Sequence, residues 1–366
     1  MELGSRMRIS SPTLFVQKGE IMELRYSTRY YTLGSFCDIK EEWETLQKGP
    51  EMTYFQTYDW YKSLLSCASS DTNKYESRFV ALFKDSIVKV IAPIFVIKHS
   101  FNFINKRGIY LLGYGGWSDY LNFIYNDASE EDLIFIFNDI KSHYGCSKFF
   151  FEDVPQQSLL YSAIIDHYAI EVDEKTICVE LSVPKSLEAY HKCLSKNTRQ
   201  NLRTATNRLI KSGLDIKCCF DDNKTERIEF EELREKGLHR KYRSYSIIER
   251  LKIHVAVILR HSFRSAPPFY TDANSRIMTA YINNELAAFF NYGFDKVHKC
   301  IVMMAVGTSG KYWRYSPGML LVYEYVKHAI EKREIEVIDF TRGNERYKYA
   351  LGGKEHYNHR VVFLVH

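Results

Sequence analysis

The sequence predicts an α/β fold of the α+β kind: two tandem domains, each a mixed, largely antiparallel sheet flanked by helices. Three observations predict it. The stretch Ile301–Lys348 reads as a strand (Ile301–Val306), a polar loop, a helix with apolar residues at helical spacing (Met319–Ile330) and a short strand (Val337–Phe340). Strand-like runs are joined by tight turns, Arg78–Lys84 to Ile87–Ile97 across Asp85-Ser86 and Arg276–Ile282 to Glu285–Tyr292 across Asn283-Asn284. The two halves also share a layout: helices, a meander of strands, a bend, a helix, a strand. This suggests an internal duplication, with domains over 23–172 and 173–366 behind a disordered or appended lead over residues 1–22.

The elements follow in order. Leu24–Thr32 is strand-like. Helices are expected at Ile39–Gln47 and at Asp59–Cys67, the second opening on an acidic residue. After the 78–97 hairpin come the strand Ile109–Leu112, a glycine-rich bend (GYGGWSD) and the strand Tyr120–Tyr125. The helix Glu130–His143, the strand Ser147–Glu152 and the helix Gln156–Asp166 complete the first half. The second half starts with the strand Thr176–Leu181. A helix follows, opened by the Ser195 hydroxyl and closed by Gly213, and then the strand Leu214–Cys219. Two polar helices are expected over 224–243 and 246–263, with a break at Pro267-Pro268. The strands to Val306, the helix Gly318–Glu331, the strand Glu336–Phe340 and the strand Arg360–Val365 finish the chain.

Composition bounds the function. The 366 residues are 45% hydrophobic and 15% aromatic, enough for a sizeable core. A net charge of +5 fits an anionic ligand but does not by itself argue for nucleic acid. The eight cysteines are scattered, without a CxxC pair, and read as reduced thiols of a cytoplasmic protein with no metal site. No signal peptide or membrane span is expected, and HExxH, GxSxG and GxxxxGK[ST] are missing, which removes support for zincin, hydrolase and P-loop chemistry.

Several groups of residues carry candidate chemistry. Ser316-Pro317-Gly318 opens a helix, whose first N–H groups have no intrahelical partner and lie at the positive end of the macrodipole. That is a ready anion site, or else an ordinary strand-to-helix turn. Proline suits the first helical position, glycine lets backbone approach a phosphate, and Lys311 and Arg314 could add charge-assisted contacts. Asp339, Arg342, Glu345 and Lys348 follow a buried strand, where α/β folds place ligands; the alternative is a solvated charged loop. Arg199 and Arg203 share one helix face, for a phosphorylated substrate or merely as a basic surface. His239 titrates near neutrality and could touch substrate or lie on the surface.

The order of motifs resembles the GNAT superfamily in its duplicated-domain branch, and most nearly the acetyltransferases associated with cellulose and exopolysaccharide biosynthesis, relatives of the Fem-type peptidoglycan-bridge aminoacyltransferases. The residues that carry it are FQTYDWYKSL at 55–64, LLGYGGWSDYLNFIY at 111–125, LSKNTRQNLRTATNRLIKSG at 194–213, LHRKYR at 238–243, SPGMLL from 316 and IDFTRGNERYK from 338. The resemblance covers about residues 30–353. It implies that Lys311, Arg314, Tyr315, Ser316, Pro317, Gly318 and Met319 wrap the pyrophosphate of acetyl-CoA or another acyl-CoA. It implies that Lys348 stabilises the oxyanion, with Glu345 or Asp339 as base. Trp117, Asp119 and Tyr120 resemble the family's acceptor-side motif, with Asp119 to bind or deprotonate the acceptor, or else form a structural bulge; Arg199, Arg203, His239 and Arg342 are the further candidates for substrate contact, and the first half would supply the acceptor side.

The expected activity is N-acyl transfer from acyl-CoA to an amino group of a sugar or cell-envelope precursor. Two rivals remain: a Fem-type transferase using aminoacyl-tRNA, disfavoured because the polar helices at 224–263 are short for a tRNA-binding arm, and a non-catalytic binding protein of a polysaccharide system.

Overall fold

The structure, a computed structural model, describes residues 26–66, 75–98, 106–113, 118–220, 230, 232–234 and 274–366, and the backbone of strands at 7–9, 13–17 and 20–24. The helices expected over 224–263 lie outside the described residues apart from short pieces at 230–234, and so does the Pro267-Pro268 break. The chain divides into two compact units, Met1–Thr176 with Tyr357–His366, and Ile177–His356.

In the first unit, β1 (Met7–Ile9), β2 (Thr13–Gln17), β3 (Glu20–Leu24), β4 (Tyr26–Tyr31), β5 (Tyr75–Lys84), β6 (Ile87–Ile97), β7 (Gly108–Leu111), β8 (Ile124–Tyr125) and β9 (Lys148–Pro155) are accompanied by α1 (Lys40–Leu46), α2 (Tyr58–Ser66), α3 (Glu130–Tyr144) and α4 (Leu159–His167). The sheet order is β1-β4-β5-β6-β7-β9, with β8 also on β6. All neighbours are antiparallel except β7 and β9, which α3 connects as a parallel crossover. Within and just past the lead expected to be disordered or appended, Met7–Ile9, Thr13–Gln17 and Glu20–Leu24 form strands. Met7 pairs with Arg29, which covers the outer backbone edge of β4, and β2 pairs with β3 in a separate hairpin. Asp85 and Ser86 both take positive φ, as a two-residue type I′ turn requires.

The first core is aromatic, built on Trp43, Phe79, Phe123, Phe137, Phe149 and Phe151, all fully buried. The strand expected over Tyr120–Tyr125 shrinks to its last two residues. Tyr120 has φ +54°, and its carbonyl accepts from Gln56 Nε2 at 2.6 Å, so this stretch spends its backbone on a side chain rather than a ladder.

The second unit contains β10 (Ala169–Ser182) from Ile177 onward, α5 (Leu187–Cys193), α6 (Lys196–Lys211), β11 (Ile216–Phe220), β12 (Ser275–Ile282), β13 (Glu285–Asp295), β14 (Cys300–Thr308), α7 (Pro317–Lys332), β15 (Val337–Arg342) and α8 (Arg346–Ala350). Its sheet order is β10-β15-β14-β13-β12-β11, antiparallel throughout except for the parallel pair β14 and β15. Leu320, Leu321, Val326 and Ala329 of α7 join Met278, Ala288, Phe290, Ile301 and Ile338 of the sheet in one core, together with Leu202, Ala205 and Leu209 of α6. Ser195 caps α6 as expected, accepting from Thr198 N at 3.0 Å. The order β5-β6-β7-β9 with α3 between the parallel strands recurs as β12-β13-β14-β15 with α7, so the duplicated layout is topological.

The last strand, β16 (Lys354–Leu364), departs from the expected partition. From Tyr357 it belongs to the first unit, where Val361 and Phe363 pair with Phe151 and Phe149. The Phe363 ring lies 5.2 Å from that of Phe149 and 5.5 Å from that of Phe137, so its apolar alternation completes the first core. All described cysteines are free thiols. No helix among the described residues is long and apolar enough to cross a membrane.

Candidate functional site

The geometry of the second unit turns on how β14 meets β15. One edge of β14 pairs with β13 from Cys300 to Thr308. The other pairs with β15 at three rungs only: Cys300 with Val337, Ile301 with Ile338, Val302 with Asp339. Beyond the last rung the strands separate. Tyr292 stays opposite Met303 while Asn291 moves opposite Ala305, so Met304 is the extra residue of a β-bulge, a device that bends the strand. Thr341 Oγ1 donates to Met303 O at 3.1 Å across the opening. Past it, Met304–Val306 have no ladder partner on that side among the described residues, and Val306 is 43% exposed. The result is a strand edge with backbone donors and acceptors unspent.

That edge runs into the loop expected to hold an anion. A 3₁₀ turn, Trp313–Tyr315, leads to Ser316 in the left-handed conformation (φ 49°, ψ 49°), and α7 begins at Pro317 with no side-chain cap from Ser316. The helix N-terminus therefore keeps its field and N–H groups for an external acceptor. A Cβ on Gly318 would sit 3.1 Å from Thr308 Cγ2, a tight contact, so glycine there also lets α7 lie close on β14. Met319 is half-buried against the core. Lys311 is paired with both carboxylate oxygens of Glu285, and Tyr312 Oη donates to the same group at 2.8 Å; these contacts hold the Glu285 carboxyl below its usual range. Tyr315 is buried, its hydroxyl 3.2 Å from Ser212 Oγ, and Arg314 is exposed.

The far end of β15 is tightly wound. The Asp339 side chain is buried and accepts from Thr341 N at 2.7 Å. Thr341 takes φ +57°, an unusual conformation for a β-branched residue. Gly343 follows at φ +105° and donates its N–H to Ile177 O at 2.9 Å. Lys348 fills the centre of this loop. It is 2% exposed, and its Nζ donates to Thr341 O (3.2 Å), Arg342 O (2.7 Å) and Gly343 O (3.0 Å), with Glu345 Oε2 at 3.0 Å. An ammonium has three N–H groups. Here three carbonyls and a carboxylate surround them, so Lys348 clamps the loop carrying Arg342 and Glu345.

Beside Asp339 stands a group not expected from the sequence. Glu180 is opposite Asp339 across β10 and β15, and His356 Nδ1 lies 3.5 Å from Glu180 Oε2. Burial alone would lower the His356 pKa; the hydrogen bond to Glu180 and the charges of Asp339 and Glu180 outweigh it and raise the pKa. Burial, with the charges of Asp339 and Asp295, also drives the Cys300 thiol well above its ordinary range.

Other expected site residues are placed elsewhere. Asp119 and Tyr120 are buried in the first unit, in the bend where Trp60 Nε1 donates to Ser118 Oγ at 2.8 Å. Arg199 donates to His191 O and Leu194 O, both at 2.7 Å, closing the end of α5. Arg203 is exposed on α6. Trp117 and His239 lie outside the described residues. Sequence reasoning passed over Arg208, Lys211 and Ser212, which reach the Arg314–Tyr315 turn; basic residues at i and i+3 in the last turn of α6 were the available signal. No group of three or more potential metal ligands is arranged for a metal ion among the described residues.

Residues 196–349 match the family model described as an acetyltransferase (GNAT) domain. No curated protein matches the chain. Among solved structures, FemX superposes with a TM-score of 0.57 at 10% identity, covering 88% of this chain and 95% of FemX. L-PGS from Bacillus licheniformis gives a TM-score of 0.48 at 10% identity, over 89% of this chain and 91% of that one. A tandem GNAT protein from the clavulanic acid biosynthesis pathway gives 0.45 at 9% identity, over 92% and 97%. At such identities the FemX match speaks for fold alone. The chain thus has a mixed α/β, GNAT-like fold, and its residues 196–349 resemble the acetyltransferase (GNAT) domain family.

Proposed function

We propose that the chain is an acyl-CoA-dependent N-acyltransferase acting by direct transfer on an amino group, of a sugar or cell-envelope precursor. The observation that carries this reading is the opening between β14 and β15, a free strand edge leading to an uncapped helix N-terminus. A free edge pairs with an extended amide-bearing chain, and a helix N-terminus accepts phosphates, so the two in series suit a pantetheine arm ending in a diphosphate. The match of residues 196–349 to an acetyltransferase domain supports the same choice.

Acyl-CoA would supply an activated thioester carbonyl. The chain's part is to hold it, polarise it and take the proton of the attacking amine. The N–H groups of the β14 edge are the natural donors toward the carbonyl oxygen. Asp339, one rung before the opening, and Glu345 beyond it are the carboxylates nearest the base role, and Lys348 fixes the loop that presents Glu345. The acceptor class rests on the sequence resemblance.

Titration of the full chain with acetyl-CoA while following thermal unfolding tests the reading. Saturation at ~100 times Kd contributes ~2.7 kcal/mol and raises the midpoint by a few degrees. No shift with millimolar acetyl-CoA refutes it. A shift with aminoacyl-tRNA instead would favour the Fem-type rival, and full cellular function of an Asp339→Asn, Glu345→Gln variant would favour a binding protein.

A further inference from the structure

A second anion-favouring place adjoins the helix N-terminus. The last turn of α6 and the Trp313–Tyr315 turn border an open hollow of about 430 Å³ lined by Arg208, Lys211, Ser212, Arg314 and Tyr315. Three cations from two elements converge there, and among the described residues no carboxylate lines the pocket. Arg208 Nη1 donates to the Arg314 carbonyl at 3.3 Å, which fixes the guanidinium beside the turn, and Ser212 and Tyr315 join hydroxyls 3.2 Å apart. Among the described residues none of the three cations is ion-paired, in contrast to Lys311 three residues earlier, which Glu285 neutralises. Like charges gathered without a counter-charge repel one another, and a polyanion removes that repulsion.

The pocket is distinct from the α7 N-terminus. That site offers backbone N–H groups after Pro317, whereas this one offers side-chain charge, with the Tyr315 ring as a wall. Two anion sites one short turn apart suit a ligand with two separated phosphate groups. Resting on the acyl-CoA reading above, we infer that Arg208, Lys211 and Arg314 bind the phosphate monoester on the ribose of the donor's adenosine, while the α7 N-terminus takes the diphosphate. The chain then selects 3′-phosphorylated donors over those that carry the diphosphate alone.

Calorimetric titration of the full chain with CoA and with 3′-dephospho-CoA tests this, in the wild type and in the Arg208→Ala, Lys211→Ala double variant. The wild type is expected to bind CoA ~10-fold or more tightly than 3′-dephospho-CoA, as loss of charge-assisted hydrogen bonds implies. In the double variant the ratio falls toward one while affinity for 3′-dephospho-CoA is unchanged. Its melting temperature should also hold, because both side chains are exposed. A double variant with Arg208→Lys and Lys211→Arg restores part of the ratio. Equal binding of both ligands by the wild type, or an unchanged ratio in the alanine variant, overturns the inference and leaves the acyl-CoA reading standing. Failure of the wild type to bind either ligand overturns both. Salt-sensitive tRNA binding that the double variant loses, without CoA binding, assigns the pocket to nucleic-acid phosphate and likewise overturns it.

Discussion

Replacing Lys348 with methionine separates the clamp from a direct chemical role. The substitution keeps the volume of the stem but removes an ammonium held by three carbonyls and Glu345, at 2% exposure. Breaking a buried charged pair costs ~3–5 kcal/mol, largely for the group left behind. Glu345 is 41% exposed and can rehydrate, which favours the lower end. The three carbonyls belong to a segment with Thr341 at φ +57°; strain of ~1–3 kcal/mol is stored at such a residue, and its release on loosening offsets part of the loss. A net loss of ~2 kcal/mol is expected. Urea unfolding of the full chain reads it, and hydrogen exchange should accelerate across residues 341–349 well before the α7 core. A loss below ~1 kcal/mol with unchanged exchange, combined with collapse of acyl transfer, would refute the clamp and return Lys348 to the reacting carbonyl.

Further expectations follow from the same geometry. A Cβ at Gly307 would lie 2.3 Å from Cε1 of the fully buried Phe289, so Gly307→Ala should cost ~1–3 kcal/mol by overpacking, and adding Phe289→Leu should recover part of it in denaturant melts. The His356 pKa is raised, so the stability it contributes is complete below its unfolded value near ~6.5 and is lost as pH rises through the folded pKa. Glu180 is lowered, chiefly by its hydrogen bond to His356, so its contribution is present above its unfolded pKa and fades as pH falls through the folded one. NMR titration of the His356 ring should show its pKa dropping in Glu180→Gln; an unchanged value would mean that Glu180 does not set it.

Much of the fold was legible because local chemistry and tertiary structure agree. Asn283-Asn284 and Asp85-Ser86 tolerate the positive φ of tight hairpins, and Ser195 caps the helix it precedes. The strand–helix–strand run of β14, α7 and β15 was legible from two apolar runs flanking an amphipathic helix, though not its parallel pairing. What escaped is what a long polar side chain or a distant backbone edge decides. Nothing in periodicity says that the Arg199 guanidinium turns back on α5 or that the Lys348 ammonium spends its donors on three carbonyls. The pairing of β1 with β4 and of β16 with β9 depends on which strand edges stay open once nearer neighbours have paired. In the site, the loop and the β15 end were visible as motifs, but the bulge at Met304 and the Arg208–Lys211 pocket arise only when separate elements meet.

The nesting of one unit inside the other has a consequence for biosynthesis. Because Tyr357–His366 complete the sheet of the first unit, β9 waits for its partner until the whole of the second unit has left the ribosome. The second unit is contiguous and can close on its own. The first must either pause with Phe149 and Phe151 shielded only on one side or recruit a chaperone for that interval. A chain truncated after residue 356 should therefore be protease-resistant across 177–356 and sensitive around β9, the reverse of ordinary N-to-C order.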